Sequence, residues 1–187
     1  MEKENDHIIE TCREPFTRGY VQVYTGDGKG KTTAAVGLAL RAAGAGLRVF
    51  IAQFVKSGRY SEIKALERFS DMIECRQYGR GCWLSGNPTE EDSKAARGAL
   101  LEIREIIRSG RYQVVILDEA NIATFFKLID VEDLIDLIDL KPERVELVFT
   151  GRQADSRILR RADLVTEMRE VKHYYRKDVK AREGIES

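Results

Sequence analysis

The amino-acid sequence predicts an α/β protein with three layers, in which a parallel sheet of about six strands carries helices on both faces. Short apolar runs rich in β-branched residues alternate with longer amphipathic segments, a pattern typical of strands joined through helices. The run 48–55 is apolar almost throughout, as expected of a strand buried on both faces. With 187 residues and no internal repeat or linker, we expect a mobile N-terminal arm at 1–19 and one domain at 20–187.

The first predicted strand, 20–24 (YVQVY), leads into a glycine-rich turn, TGDGKG, and then into an alanine-rich helix that opens with Lys31-Thr32-Thr33. Strand, glycine loop, Lys-Thr and helix form the P-loop arrangement, in which backbone N–H groups and the helix N-terminus face one anion. The usual spacing is Gly-x4-Gly-Lys-Ser/Thr, whereas Thr25 stands first here and Gly26 follows it. We predict a nucleotide phosphate site, with Lys31 reaching the distal phosphates and the Thr32 hydroxyl ligating magnesium.

The second predicted strand places side chains at the edge of the sheet where ligands bind in open α/β proteins. Gln53, Phe54 and Lys56 lie at or just after its carboxyl end. Phe54 is therefore either a core residue or a wall of the site. Lys56 is either a solvated surface charge or a site residue.

A glycine-rich loop, 79–86 (GRGCWLSG), follows the third predicted strand and holds the only tryptophan of the chain. Trp83 either packs beneath the loop or is presented to a ligand or a partner chain. The helix after this loop begins near Thr89, for which Asp92 completes a capping box.

The fourth predicted strand, 114–117, consists of four apolar residues and runs into Asp118 and Glu119. This is typical of the Walker B strand that lies beside the P-loop, in which one acid holds magnesium and the other orients it or a reacting group. The combination predicts a RecA-like P-loop NTPase fold.

The remaining chain completes the alternation of strands and helices. A helix capped by Asp130 precedes a strand at 145–149 that ends in Thr150-Gly151-Arg152. The Arg152 guanidinium could reach a phosphate at this edge. A helix, a last strand at 164–168 and a charged tail with interleaved aromatic residues follow, and composition predicts that the tail lies on the surface.

Composition narrows the possible partners. Lys plus Arg and Asp plus Glu both number 31, so the formal net charge of zero argues against a nucleic-acid-binding surface. The three cysteines, Cys12, Cys75 and Cys82, are widely spaced, as in a reduced cytoplasmic protein. The sequence shows neither a bilayer-spanning run nor a signal peptide. We expect a cytoplasmic protein with no nucleic-acid or membrane partner.

Several of these segments together resemble the P-loop-type cob(I)alamin and cob(I)yrinic acid a,c-diamide adenosyltransferases, the corrinoid adenosyltransferase family. The likeness runs from about Tyr20 to Glu186. It is carried by TGDGKGKTTAAVGLALRAAGAG, AQFVK, VVILDE, FTGR, ADLVTEM and VKHYYRKDVKAREGIE.

The resemblance implies transfer of the 5′-deoxyadenosyl group of ATP to cobalt(I) of a corrinoid, with triphosphate leaving, in cobalamin biosynthesis or salvage. Mg²⁺ or Mn²⁺ would serve as cofactor, and a separate reductase would supply electrons to cobalt. The ATP site would comprise Thr25, Gly26, Asp27, Gly28, Lys29, Gly30, Lys31, Thr32, Thr33 and Arg152.

Within that site the resemblance implies that Lys31 and Glu119 carry the catalytic roles. Thr32, Glu119 and, more weakly, Asp118 would hold the metal. No side chain need act as nucleophile, because cobalt(I) is itself a strong one, so the protein would position and desolvate the reactants.

The implied corrinoid pocket includes Phe54, Cys82 and Trp83. Many family members read G-x-G-F-T-W in the loop, whereas this chain has GRGCWL, with Cys82 at the phenylalanine position and Trp83 one place early. Cys82 is either a cobalt ligand or an inert small side chain. The resemblance also implies a homodimer whose arm, 1–19, orders when corrinoid binds.

Two other function classes fit parts of the sequence. A RecA-like P-loop ATPase acting on a macromolecular partner would release ADP and phosphate and would need a basic face. A corrinoid carrier would bind its ligand without consuming ATP.

Overall fold

The computed structural model of the chain describes residues 16–58, 60–79 and 88–186. Six strands in these ranges form one sheet, in the order β3-β2-β4-β5-β1-β6, with every neighbouring pair parallel. This confirms the predicted parallel α/β sheet. The strands are β1 (Val21–Thr25), β2 (Val49–Gln53), β3 (Ile73–Gln77), β4 (Val114–Asp118), β5 (Glu146–Thr150) and β6 (Leu164–Glu167).

Six α-helices and two short 3₁₀ segments, Glu67–Phe69 and Tyr174–Lys177, connect and follow these strands within the described ranges. One helix, directly after β4, was not predicted, because its six residues show no helical periodicity of their own. The helices are α1 (Lys31–Gly44), α2 (Ser61–Leu66), α3 (Glu90–Arg108), α4 (Ala120–Phe125), α5 (Val131–Leu140) and α6 (Ser156–Arg161).

Successive residues of the buried strands face two separate cores. In β2, Val49 and Ile51 pack in the cluster that contains the alanines of α1, whereas Phe50 and Ala52 pack in the cluster that contains the apolar stripes of α3 and α5. Because strand side chains alternate between faces, helices must cover both sides of such a sheet. The predicted three-layer arrangement is confirmed.

The two strands that carry the predicted site are not neighbours. β5 lies between β1 and β4, so the acid-bearing strand does not pair with the strand that leads into the P-loop. The carboxyl ends of parallel strands nevertheless share one edge, and the Thr32 hydroxyl at the start of α1 donates to Asp118 Oδ1 over 2.9 Å. The sheet therefore joins the two motifs at its carboxyl edge.

Other expectations differ in detail from the structure. Phe69 lies in the 3₁₀ turn that follows α2 and is 42% exposed, although the sequence predicts that it belongs to the helix itself. Of the predicted arm, residues 1–15 lie outside the described part of the chain. Gly19 is already packed into the domain, where its N–H donates to Glu143 O over 2.7 Å. Within the described ranges no helix has the length and apolarity needed to cross a membrane.

Candidate nucleotide site at the carboxyl edge of the sheet

A cavity of about 480 Å³ opens where β1, β2, β4 and β5 end. Its walls come from the P-loop and the first turns of α1, from the segments after β2, β4 and β5, and from the chain's carboxyl tail. It is lined by 28–33, Val36, Lys56, Ser61, Glu62, Glu119, Arg152 and 184–186. Most of the predicted phosphate-binding residues thus meet at one place.

The glycines of the P-loop are required by both backbone conformation and close packing. Gly26 and Gly30 have φ of 91° and 112°, in the left-handed region that favours glycine. A Cβ on Gly28 would lie 2.8 Å from Met168 O, and the Gly28 N–H already donates to that carbonyl over 2.7 Å. The segment after β6 therefore packs directly against the P-loop, and the Gly28 N–H points at that segment.

Lys31 folds back onto its own loop. Its Nζ donates to Gly26 O and Gly28 O, each over 2.7 Å, and the residue is only 7% exposed. Burial lowers the pKa of Lys31, while the Glu119 carboxylate opposes this shift. The ammonium is thus held inside the loop by neutral carbonyl groups, which a phosphate oxygen can replace as a better acceptor.

Asp118 is 1% exposed and each of its oxygens has two partners. Oδ1 accepts from the hydroxyls of Thr32 and Thr150 over 2.9 and 2.6 Å. Oδ2 accepts from Gln53 Nε2 over 3.0 Å and lies 3.2 Å from Lys56 Nζ. With all four contacts made, this carboxylate orients Thr32 in the structure.

Glu119 differs from its neighbour because it leaves the strand. It adopts a left-handed conformation with φ of 60°, and its N–H donates to the Thr150 hydroxyl over 3.0 Å. Its side chain lines the cavity. Burial and, next, the Asp118 charge raise the pKa of Glu119, against the effect of Lys56 and other cations. Of the two acids, Glu119 is the one presented to a ligand.

The donor set suits magnesium that is shared with a phosphate ligand. Across the described ranges no group of three or more His, Cys, Asp or Glu side chains could hold a metal by itself. Mg²⁺ commonly takes one or two protein oxygens and completes its octahedron with water and phosphate oxygens. Thr32 and Glu119, which carry a hydroxyl and a carboxylate, both line the cavity and match that requirement.

The carboxyl tail forms the wall that composition did not predict. Most of its residues are exposed, as expected, but Gly184, Ile185 and the partly buried Glu186 line the cavity. Lys29 Nζ donates to Tyr174 Oη over 3.0 Å and to Glu186 Oε1 over 2.9 Å. The only sequence signal for this placement was the resemblance of the tail to the family pattern.

A cluster of charges fixes this wall. Arg182, Tyr174 and Lys29 all donate to the Glu186 carboxylate and lower its pKa, with Arg182 contributing most. The tail is thereby tied to the P-loop through Lys29.

The other predicted site residues are placed as follows. Thr33 and Arg152 line the cavity, whereas Thr25 and Asp27 belong to the loop but are not part of the lining. Phe54 is 2% exposed and packs near Tyr78, with ring centroids 6.5 Å apart, so its position is that of a core residue. Cys82 and Trp83 lie outside the described residues.

Comparison with known proteins identifies the family. The model of the ATP:corrinoid adenosyltransferase BtuR/CobO/CobP family matches residues 17–187, which is nearly the whole chain. The chain belongs to this family. The match includes the P-loop, the two acids at the end of β4 and the tail that lines the cavity, so the corrinoid adenosyltransferase pattern covers every wall described above.

Individual corrinoid adenosyltransferases are similar over most of their length. One from Sinorhizobium sp. is 34% identical over 172 residues, covering 90% of this chain and 80% of its own. One from Pseudomonas aeruginosa is 31% identical, covering 97% and 89%, and one from Escherichia coli K12 is 33% identical, covering 90% and 86%.

Proposed function

We propose that this chain transfers the 5′-deoxyadenosyl group of ATP to cobalt(I) of a corrinoid. The electron pair of cobalt(I) forms the bond to C5′, the C5′–O bond breaks, and triphosphate departs with the electron pair of that bond. No protein side chain needs to act as nucleophile. The protein must then bind both substrates, align cobalt with C5′ and stabilise the triphosphate charge.

The observation that carries this proposal is the set of four cations that line the cavity at the P-loop. Lys29, Lys31, Lys56 and Arg152 line it, together with three carboxylates, those of Glu62, Glu119 and Glu186. Four cations around a glycine loop suit a polyanion held as a whole, as a leaving triphosphate requires. The family match supplies the identity of the group transferred.

Within this function Lys31 contacts the triphosphate, and Glu119 with Thr32 holds the magnesium. When bound, magnesium neutralises part of the charge that grows on the leaving triphosphate. Asp118 fixes the Thr32 hydroxyl through the 2.9 Å hydrogen bond and acts as a positioning residue. Mn²⁺ is expected to replace Mg²⁺, because both prefer oxygen ligands in octahedral geometry.

The corrinoid is proposed to bind beside the same edge, at the loop that contains Cys82 and Trp83. That loop follows β3, which pairs with β2 next to the cavity-lining segment. Phe54 would need to become exposed to contact the corrinoid ring. Measuring kcat/KM with cob(I)alamin and with cob(I)yrinic acid a,c-diamide will identify the preferred corrinoid, which is the one with the higher value.

The active form is proposed to be a cytoplasmic homodimer that receives reduced cobalt from a separate reductase. Light scattering on purified protein should give twice the mass of 21.3 kDa. Hydrogen exchange should slow in residues 1–19 when ATP and corrinoid are added together. Exchange that is unchanged in this segment would contradict closure of the arm.

The deciding experiment is an anaerobic assay with magnesium ATP and chemically reduced cob(I)alamin. We expect the visible spectrum to become that of a light-sensitive alkylcobalamin, with one triphosphate released for each corrinoid converted. ADP and phosphate with an unchanged corrinoid spectrum would instead establish an ATPase. Corrinoid binding with no consumption of ATP would establish a carrier.

A further inference from the structure

Lys56 is a partly buried cation whose contacts with other protein groups the proposed reaction does not explain. It lies three residues after the end of β2, and its side chain is 22% exposed. Its Nζ lies 3.1 Å from the Thr32 hydroxyl oxygen and 3.2 Å from Asp118 Oδ2. The sequence left two alternatives for Lys56, a solvated surface charge or a site residue. These contacts favour a site residue.

The Lys56 ammonium is surrounded by hydroxyl and carboxylate oxygens, as a bound metal ion would be. Glu62 Oε1 lies 3.8 Å from Nζ, and Glu119 belongs to the same cavity. Asp118, Glu119 and Glu62 all act to raise the pKa of Lys56 against the effect of burial, which is the largest single contribution. One positive charge therefore faces a hydroxyl and three carboxylates, the kind of oxygen donors that magnesium also takes.

We propose that Lys56 is a tethered counter-cation of the magnesium site. In the nucleotide-free protein its ammonium occupies the cation position against Thr32 and Asp118, and the incoming metal nucleotide displaces it. Lys56 then becomes a positioning residue, available to the triphosphate on the same wall of the cavity. The inference rests on the proposed magnesium site at Thr32 and Glu119.

Two physical properties make lysine suitable for this role. Its ammonium is a compact point charge, and its four-carbon stem can withdraw the charge without moving the backbone. Without a cation, neighbouring carboxylates in a partly buried site repel one another strongly. Lys56 relieves that repulsion in the free protein and so disfavours metal binding until phosphate oxygens help to displace it.

The test is Mn²⁺ binding in the absence of nucleotide, measured by electron paramagnetic resonance of free Mn²⁺. We expect Lys56→Met to bind one Mn²⁺ at least tenfold more tightly than the wild type, because a tethered competitor has been removed. Lys64→Met is the matched control, since it removes an exposed lysine from the neighbouring helix α2 and should leave Mn²⁺ affinity unchanged. Equal affinity in the wild type and Lys56→Met, or no binding by either, would overturn the proposal.

Further measurements separate this role from general structural damage. Lys56→Arg restores a positive charge and should return nucleotide-free Mn²⁺ affinity towards that of the wild type, whereas the neutral Lys56→Gln should behave like Lys56→Met. Loss of tight Mn²⁺ binding in the double variant Lys56→Met/Glu119→Gln would place the ion at the proposed site. Unchanged binding in that double variant would overturn the proposal.

Binding of Mn·ATP to the wild type tests the proposed metal site independently of Lys56. Tight Mn·ATP binding together with equal nucleotide-free affinities would leave the proposed function standing and reject only the role of Lys56.

Discussion

At the residue scale, the backbone gives two adjacent acids different environments. Asp118 is the last residue of β4, accepts three hydrogen bonds and forms an ion pair with Lys56, whereas Glu119 turns into a left-handed conformation and lines the cavity. A side chain that is saturated by protein donors is suited to orienting its neighbours. One that faces a cavity is suited to binding a ligand.

Substitution of each acid by its amide should therefore affect different quantities, kcat for Glu119 and the free energy of unfolding for Asp118. We expect Glu119→Gln to lower kcat by about 10²–10³-fold through loss of charge stabilisation, with little change in the free energy of unfolding. Asp118→Asn should lower the free energy of unfolding by about 1–3 kcal/mol, because an amide NH₂ would face groups that are themselves donors. Steady-state kinetics and urea unfolding of both variants distinguish the two cases. Equal effects of the two substitutions on both measurements would contradict this division of roles.

Gly28 offers a test of the P-loop, because a methyl group at this position would clash with neighbouring backbone atoms. Its Cβ would meet the backbone of Met168 and Arg169 at 2.8 Å. Gly28→Ala should raise KM for ATP by at least about tenfold, since small displacements of a binding group carry large kinetic costs. Gly37 in α1 has nothing within 4 Å of an added Cβ. Gly37→Ala is the control and should stabilise the helix by about 0.5–1 kcal/mol with KM unchanged.

Cys75 provides a test of pH dependence. Burial raises the pKa of this thiol to about 11. In a variant with Cys12 and Cys82 changed to serine, alkylation of Cys75 at pH 8 should be more than about a hundredfold slower than in the unfolded chain, because only the thiolate reacts. The rate should climb as the pH approaches 11. Rapid modification of the folded variant at pH 8, followed by mass spectrometry, would contradict the burial of this side chain.

At the scale of elements, the carboxyl tail works as a wall of the site. It reaches the P-loop through Lys29, Tyr174 and Glu186, and it contributes three consecutive residues to the cavity. The segment directly after β6 also supports the loop at Gly28. The tail therefore forms part of the cavity wall, even though its side chains are largely exposed.

Deletion of residues 182–187 should open this wall. We expect KM for ATP to rise about tenfold, a loss of about 1.4 kcal/mol in binding. The urea midpoint should change little, because the deleted residues bury few apolar groups. Glu183→Gln changes an exposed charge in the same segment and serves as the control. An unchanged KM in the deletion variant would show that the tail does not help to bind ATP.

At the scale of the whole molecule, the cavity joins parts of the chain that are far apart in sequence. Lys29 and Glu186 are 157 residues apart, and Thr32 and Asp118 are 86 apart. A ligand that contacts all these parts binds only the folded chain. Its binding must therefore stabilise the entire domain.

Magnesium ATP should accordingly raise Tm. At 100 times Kd the stabilisation is about 2.7 kcal/mol. For a chain of this size that corresponds to about 5–10 °C. Magnesium tripolyphosphate should produce much of the shift, because the cations of the cavity are proposed to hold the triphosphate. Differential scanning calorimetry of the wild type and Lys31→Ala provides the comparison, and an equal shift in both would contradict triphosphate binding at the P-loop.

The sequence by itself determined the strand–glycine loop–helix unit, the parallel α/β architecture and the pair of acids after the fourth strand. These features depend on short segments, in which periodicity, β-branching and glycine placement act directly on the local backbone. Helix α4 was not predicted, because it has no periodic pattern and its start depends on the left-handed conformation of Glu119. That conformation is accompanied by a hydrogen bond from the Glu119 N–H to the Thr150 hydroxyl.

Only the tertiary structure decided which side chains meet at the edge of the sheet. It placed β5 between the two motif strands, surrounded Asp118 with hydrogen-bonding and charged partners, buried Phe54 and brought Lys56 against Thr32 and Asp118. It also returned the tail to the P-loop. Each of these contacts joins residues at least 24 positions apart or depends on how strands are ordered across the sheet. Such pairings are set by packing of the whole chain, and no local pattern encodes them.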